Sequence, residues 1–304
     1  MNSSSLSSKP LSFPDGTPKG PGAIPALTGW PPLRENPGAI CYEDDFFLIL
    51  NKPAGMLVHP TAREDGSTLW NYVRRYYDSQ GLSLGIHPVS RLDRFTSGLV
   101  IFAKYASLQA ALSHQSLLKE YLAVTVGAPP ARHGILEDPI ARKEGSIIER
   151  EVRPDGKPCR TEYEVLERHG DLSLVQCRLY TGRTHQVRVH FAHAGFPLWQ
   201  DHLYGAPGEQ ARHGLHAWRV GFRHPRTGRW LEITTALPED LREQAAANFY
   251  GIPVHGGVNL CRAVGGVVEA TANYEDLRDI LDTIRPRLLV LDTLARFSGV
   301  DEND

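Results

Sequence analysis

The chain has 304 residues, 41% hydrophobic and 22% charged, with a formal net charge of -2 at pH 7, an ordinary globular composition that can bury a real core. It contains no run of about 18 apolar residues, and its first residues lack a charged region followed by an apolar one, so neither a membrane-spanning helix nor a secretory signal is indicated and a cytoplasmic location is expected. Cys41, Cys159, Cys177 and Cys261 are scattered without a CxxC pair, which argues against a zinc knuckle or a disulfide framework and for reduced thiols.

In chain order, residues 1–38 are rich in Ser, Pro and Gly with almost no apolar periodicity, and are read as a flexible arm that cannot offset its ordering entropy. Phe46-Phe47-Leu48-Ile49-Leu50 is an apolar run stopped at Asn51-Lys52-Pro53, a buried strand entering a loop. Ser67 is placed to cap a helix whose apolar face is Leu69, Tyr72, Val73, Tyr76 and Tyr77, and these aromatics are read as core rather than as platforms for bases. A second helix is expected over 107–118, leading into a strand over 121–126. Thr161 to Leu166 and Leu172 to Leu179 flank the turn at His169-Gly170-Asp171 as a hairpin. Thr184 can cap a helix over 185–194 that Gly195 ends, and strands follow over 215–222 and 230–235. Hairpins with occasional helices and no βαβ rhythm predict an α+β fold on a mixed, mainly antiparallel sheet.

One stretch organises the rest: His87-Pro88-Val89-Ser90-Arg91-Leu92-Asp93-Arg94-Phe95-Thr96-Ser97-Gly98-Leu99 sets an acid between two arginines and follows it with turn-forming residues and a strand. Each cation lowers the acid's pKa, and a pair about 4 Å apart interacts with roughly 4 kcal/mol at an effective dielectric near 20, before desolvation. In isolation such a stretch is more often a surface turn with a salt bridge. Its company changes that reading.

The pattern His87-x-x-x-Arg91-Leu92-Asp93-x-x-Thr96-Ser97-Gly98 resembles the signature of the RluA-type pseudouridine synthases. Three more segments in the right order resemble the same family: Asn51-Lys52-Pro53-Ala54-Gly55-Met56-Leu57-Val58-His59-Pro60, Lys119-Glu120-Tyr121-Leu122-Ala123-Val124, and Gly182-Arg183-Thr184-His185-Gln186-Val187-Arg188-Val189-His190. The resemblance runs from about residue 40 to about residue 249. It implies a single α+β catalytic domain, taken here as 39–250, with a central RNA-binding cleft, isomerisation of uridine in ribosomal or transfer RNA, no cofactor and no metal. A monomer is expected. Relatives often carry an RNA-binding S4 domain ahead of the catalytic one, and a 38-residue arm of this composition leaves no room for it.

By the same resemblance Asp93 is the catalytic carboxylate, acting on the sugar as a nucleophile or drawing a proton to give a glycal. Tyr121 matches the active-site tyrosine, whose ring can stack on the flipped base and whose hydroxyl can assist proton movement. Arg183 matches the basic partner of the aspartate and is preferred over Arg188, which is assigned to phosphate contact. Arg91 matches the residue that fills the stack vacated by an extruded uridine, where a planar cation can stack and hydrogen-bond together. Lys52 and His59 are expected to line the cleft or touch the RNA backbone.

Charge divides by region. Residues 251–304 hold 5 Lys+Arg against 9 Asp+Glu, a net of -4, so 1–250 carry +2 and 12 of the 13 histidines, a balance that permits RNA binding. The 251–304 segment is read as an acidic tail of uncertain origin; its Arg287-Leu288-Leu289-Val290-Leu291-Asp292 resembles a Walker B strand, but the chain has no Gly-x4-Gly-Lys-Ser/Thr to complete a nucleotide site. His185, His190 and His193 share one predicted helix. Their separations of roughly 140° and 60° around it, without HExxH or a cysteine, do not suit a metal.

Overall fold

The computed structural model describes residues 30–61, 66–205, 212–238 and 240–241, together with the backbone of 261–264 and 267–270. Within these lie β1 (Ile40–Glu43), β2 (Phe47–Lys52), β3 (His87–Pro88), β4 (Ser97–Ala103), β5 (Leu118–Val126), β6 (His133–Leu136) and β7 (Ile140–Arg142). They continue with β8 (Arg150–Val152), β9 (Thr161–His169), β10 (Leu172–Leu179), β11 (Leu215–Arg223), β12 (Trp230–Thr234), β13 (Cys261–Val264) and β14 (Val267–Ala270). The helices are α1 (Leu69–Ser79), α2 (Ala106–Ser113) and α3 (Gln186–His193). No helix among the described residues is long and apolar enough to cross a membrane.

Ten strands form one sheet in the order β1-β2-β4-β11-β5-β10-β9-β6, with β3 beside β4 and β12 beside β11. Its pairings are antiparallel except β4 with β11, which run parallel through His216 and Ala217 against Ser97 and Gly98. The sheet is thus mixed and mainly antiparallel, and the fold is α+β. β7 with β8 and β13 with β14 form separate hairpins.

The unbroken apolar runs of β2 and β4 follow from burial on both faces. Leu48, Leu50, Val100 and Phe102 pack with Leu69, Val73 and Tyr77 of α1. The alternate set, Phe47, Ile49, Leu99 and Ile101, packs with Leu108 and Leu112 of α2 and Phe222 of β11. A strand covered on both sides loses its polar alternation. Tyr72 and Tyr76 rest against the first cluster, as core. On the far half of the sheet, Val187 and Phe191, one turn apart on α3, pack on Tyr163, Val165, Val175, Cys177 and Leu179.

Four boundaries move. Thr68, not Ser67, caps α1, its backbone N–H donating to Asn71 Oδ1 at 3.2 Å. α2 stops at Ser113, and Leu118, the last residue of the expected apolar face, is buried as the first residue of β5. α3 begins at Gln186, one residue later than expected; its N-cap is His185 rather than Thr184, at φ 60, without a side-chain cap. The arm also gives way early. Leu33 is buried in a short 3-10 turn, and the Trp30 ring meets Tyr72 edge-on at 4.8 Å, apolar anchors that an average over 38 residues conceals. Residues 1–29 and the Walker-like 287–292 lie outside the described residues. Cys41, Cys159 and Cys177 are free thiols.

The insertion of β11 between β4 and β5 sets the position of the site. At the parallel contact Gly98 has φ 114, and a Cβ there would collide with the backbone of Ala217. Only glycine lets the two central strands approach at the point where the Asp93 loop enters the sheet.

Candidate active site

Asp93 sits on the loop between β3 and β4, and that loop is tied down on every side. Gly55 N–H donates to Arg94 O at 2.8 Å, and Thr96 N–H closes a turn onto Asp93 O at 3.2 Å. Behind the turn, Thr96 Oγ1 meets His213 Nε2 at 2.8 Å, Ser97 Oγ meets His216 Nδ1 at 2.9 Å, and Arg212 Nη1 donates to Ser97 Oγ at 2.8 Å. Burial holds His213 far below its ordinary pKa, with the charges of Arg188 and Arg212 adding to the fall, and holds His216 at about 3. Both rings are neutral braces.

Lys52 is another brace. It is 0% exposed, on the same side of β2 as Leu48 and Leu50, and its Nζ donates to Pro53 O at 2.9 Å, Met56 O at 2.8 Å and Arg94 O at 3.0 Å. That uses all three hydrogens of an ammonium group. The expected RNA contact is corrected here: the alternation of β2 turns the side chain inward and the following loop wraps its head group. Burial pushes its pKa down to about 7, opposed by the charge of Asp93. Lys52→Met strips three carbonyls of their donor and frees the Asp93 loop. It should cost about 2–5 kcal/mol in urea unfolding, with turnover falling in parallel.

Asp93, with a side chain 25% exposed, faces two basic groups. Arg188 Nη1 donates to its Oδ2 at 3.2 Å, and His185 Nε2 lies 3.8 Å from its Oδ1. Arg188 is itself buried and clamped: its Nε donates to Asp201 Oδ2 at 2.7 Å and its Nη2 to Asp201 Oδ1 at 2.8 Å, with Asp201 fully buried. Burial works against the guanidinium charge, but Asp201 and Asp93 together outweigh it and raise its pKa. Tyr204 completes the cluster, its ring 5.0 Å from the Arg188 guanidinium and its Oη 2.6 Å from His185 Nδ1.

The partner of Asp93 is therefore Arg188, and both arginine expectations are corrected. Arg183 precedes α3 and is exposed, its Nε donating to Pro158 O at 3.2 Å. Arg188 is largely buried, and two carboxylates take up its guanidinium. The left-handed backbone at His185 starts the helix late, and the Gln186 side chain closes the loop by accepting Arg183 N–H at 2.9 Å and the Thr181 hydroxyl at 2.8 Å. Arg183 stays in the loop ahead of the helix, while Arg188 lies in its first turn, against the Asp93 loop.

A cleft of about 660 Å³ opens above this cluster, lined among others by Asp93, Tyr121, Arg91, His59, Arg183, His185 and Arg188. Tyr121 projects from β5, half-buried, and burial reinforced by the charge of Asp93 raises its phenol well above the ordinary value. His59 is held low by burial and by Arg91. Arg91 is exposed at the edge. Asp201 and Tyr204 carried no signal in the sequence, because a single Asp or Tyr in a loop has no periodicity; only a demand for a counter-charge to a buried arginine could have found Asp201. Among the described residues no three His, Cys, Asp or Glu side chains gather as metal ligands, and His190 is bonded to Thr161 Oγ1 at 2.9 Å and Asp138 O at 2.9 Å.

A carboxylate gripped by a clamped arginine lies at the floor of an arginine-edged cleft on a mixed sheet, an arrangement suited to chemistry centred on that carboxylate. Residues 46–193 match the family model described as RNA pseudouridylate synthase. A Chloroflexus aurantiacus protein named as an uncharacterized RNA pseudouridine synthase is 39% identical over 240 residues, 74% of this chain and 76% of that one. The ribosomal large subunit pseudouridine synthase D of Yersinia pestis is 36% identical over 233 residues, 70% and 71% of the two chains. In fold, the human RNA pseudouridylate synthase domain containing 4 superposes with a TM-score of 0.58 at 20% identity, covering 70% of this chain and 94% of its own. The chain belongs to the RluA-type RNA pseudouridine synthase family, isomerases acting on uridine in RNA.

Proposed function

We propose that the protein isomerises specific uridines of ribosomal or transfer RNA, with Asp93 as the catalytic carboxylate and without a cofactor. One observation carries the reading: Asp93, the one carboxylate among the described residues that line the cleft, is held on a braced loop with a clamped cation at one oxygen. Such pre-formed charge is what breaking a glycosidic N–C bond requires, because the carboxylate must stay ionised and aimed while the base departs. Tyr121, its hydroxyl kept protonated, stacks on the extruded uracil and donates a hydrogen bond. Arg91, exposed beside the acid, fills the stack the uridine leaves. Arg183 and His59 at the rim meet the RNA backbone, and Arg188 holds Asp93. One chain supplies all of these groups, which supports a monomer, working in the cytoplasm where its RNA resides.

The deciding experiment expresses the protein in cells lacking their own family members and maps pseudouridine across total RNA. New sites that vanish with Asp93→Asn are expected; a blank map with folded wild-type protein overturns the reading. The two arginines separate by salt. Arg183→Ala should weaken binding evenly across RNAs and reduce the slope of log K against log salt by about 1, the loss of one phosphate contact. Arg91→Ala should instead slow turnover on structured RNA by the few kcal/mol, about, that extrusion costs, and spare unstructured RNA. Equal slopes for wild type and Arg183→Ala would remove Arg183 from the interface.

A further inference from the structure

We propose that Asp240 is a positioning residue for the reaction, acting on the Asp93 loop from outside the cleft through Arg212 and Ser97. The inference rests on the assignment of Asp93 above. Past β12 the chain remains on β11: Thr235 N–H donates to Trp218 O at 2.8 Å, and Leu237 and Leu241 are buried with Leu122, Leu174 and Trp218. These anchors deliver the Asp240 carboxylate to Arg212, whose Nε lies 2.6 Å from Oδ2 and whose Nη2 donates to Oδ1 at 2.9 Å. A planar guanidinium met by both oxygens of one carboxylate is fixed in orientation as well as in charge. Its remaining nitrogen, Nη1, donates to Ser97 Oγ at 2.8 Å. Arginine has donors and no acceptor, so the direction of that bond is settled.

The two partners depend on the pair unequally. The Arg212 side chain is 8% exposed and that of Asp240 47%, so water can serve the carboxylate while the guanidinium has little access to it. Burial works against the charge on Arg212, and Asp240 is the group that opposes the loss. The neighbours on the other side give no relief, since Arg212 disfavours charge on Lys52, His213 and His216. Without Asp240, Arg212 is a buried cation among basic groups. It then turns to water and releases Ser97.

Ser97 is where that release reaches the chemistry. It is the first residue of β4, between Gly98, pressed against Ala217, and Thr96, whose N–H closes the turn onto Asp93 O. Its Oγ also meets His216 Nδ1 at 2.9 Å, so Arg212 and β11 hold the root of the Asp93 loop together. Of these residues Thr96 lines the cleft, whereas Ser97, Arg212 and Asp240 lie behind it. A loosened root lets the carboxylate drift, and a misplacement of about 1 Å by a change far from the chemistry can cost about 100-fold in rate. The surface that meets RNA keeps its side chains. Asp240 therefore governs the rate and leaves the binding alone.

The test separates rate from binding and from stability. Full-length wild type, Asp240→Ala, Asp240→Glu and Leu241→Ala are compared in single-turnover modification of ribosomal RNA transcripts, at saturating enzyme and well below each unfolding transition, with Kd from filter binding. Asp240→Ala should lower the rate by about 10- to 100-fold and leave Kd within about twofold of wild type. Asp240→Glu keeps a two-oxygen carboxylate and should recover most of the rate. Leu241→Ala loosens the same stretch without touching the ion pair, so its melting temperature should fall while its rate stays within about threefold of wild type. A wild-type rate in Asp240→Ala, a loss that appears in Kd instead, no recovery with Glu, or an equal loss of rate in Leu241→Ala overturns the assignment. Should Asp240→Ala not fold, Asp240→Asn, similar in size and uncharged, takes its place under the same criteria. Wild type active and Asp93→Asn inert on these transcripts preserve the role of Asp93 whatever Asp240 does, whereas an inactive wild type sinks both.

Discussion

Replacing Asp93 with Asn is expected to reduce pseudouridine formation to background, a loss of about 10⁴-fold or more, while the protein remains folded and still binds RNA. The two halves of this expectation have separate causes. Asparagine keeps the shape and can still accept from Arg188 Nη1, but it cannot attack the sugar or draw a proton from it. Stability survives because Arg188 does not depend on Asp93 for its counter-charge; the bidentate bonds to Asp201 remain. Removing one negative charge from a cleft that receives phosphates should also tighten binding slightly at low salt, an effect that fades above about 0.1 M as the Debye length falls below about 10 Å. Thermal unfolding, filter binding and tritium release from 5-labelled uridine check the three parts. Turnover by Asp93→Asn within tenfold of wild type would mean that another group is the acid.

Much of the frame was legible because local chemistry and tertiary packing agree there. The runs that became β2 and β4 are apolar on both faces, the Gly170 turn joins β9 to β10, and the apolar stripe of α1 meets the sheet as its spacing requires. The loop carrying Asp93 was legible too, since Thr96, Ser97 and Gly98 are turn chemistry ahead of a strand. What escaped depends on partners remote in sequence. β11 reaches the middle of the sheet from more than a hundred residues away, and nothing in its own residues announces a parallel contact with β4. Lys52 looks like a surface cation until three carbonyls are seen around it. The choice of Arg183 over Arg188 followed a motif match, and only the packing of the helix on the Asp93 loop shows which of the two meets the carboxylate.

Arg188 is where stability and chemistry meet, and its removal should be the most damaging single change in the site. Arg188→Ala leaves Asp201, with no exposed side-chain surface, buried beside an unopposed Asp93. Removing one partner of a buried ion pair costs about 3–5 kcal/mol, enough to threaten a domain of ordinary stability. Turnover should fall with it, since Asp93 loses the cation that orients it. Arg188→Lys should recover part of the stability and little of the rate: one ammonium cannot span two Asp201 oxygens and reach Asp93 as well. The double variant Arg188→Met with Asp201→Leu separates the two roles. Replacing both members of a buried pair by apolar groups of similar volume is often neutral or stabilising, so urea unfolding should return towards wild type. The rate should stay low, because a methionine cannot hold a carboxylate. Recovery of turnover in the double variant would show that Arg188 serves the fold alone. Arg183→Ala, removing an exposed side chain whose Nε donates to Pro158 O, should leave the unfolding curve where it is.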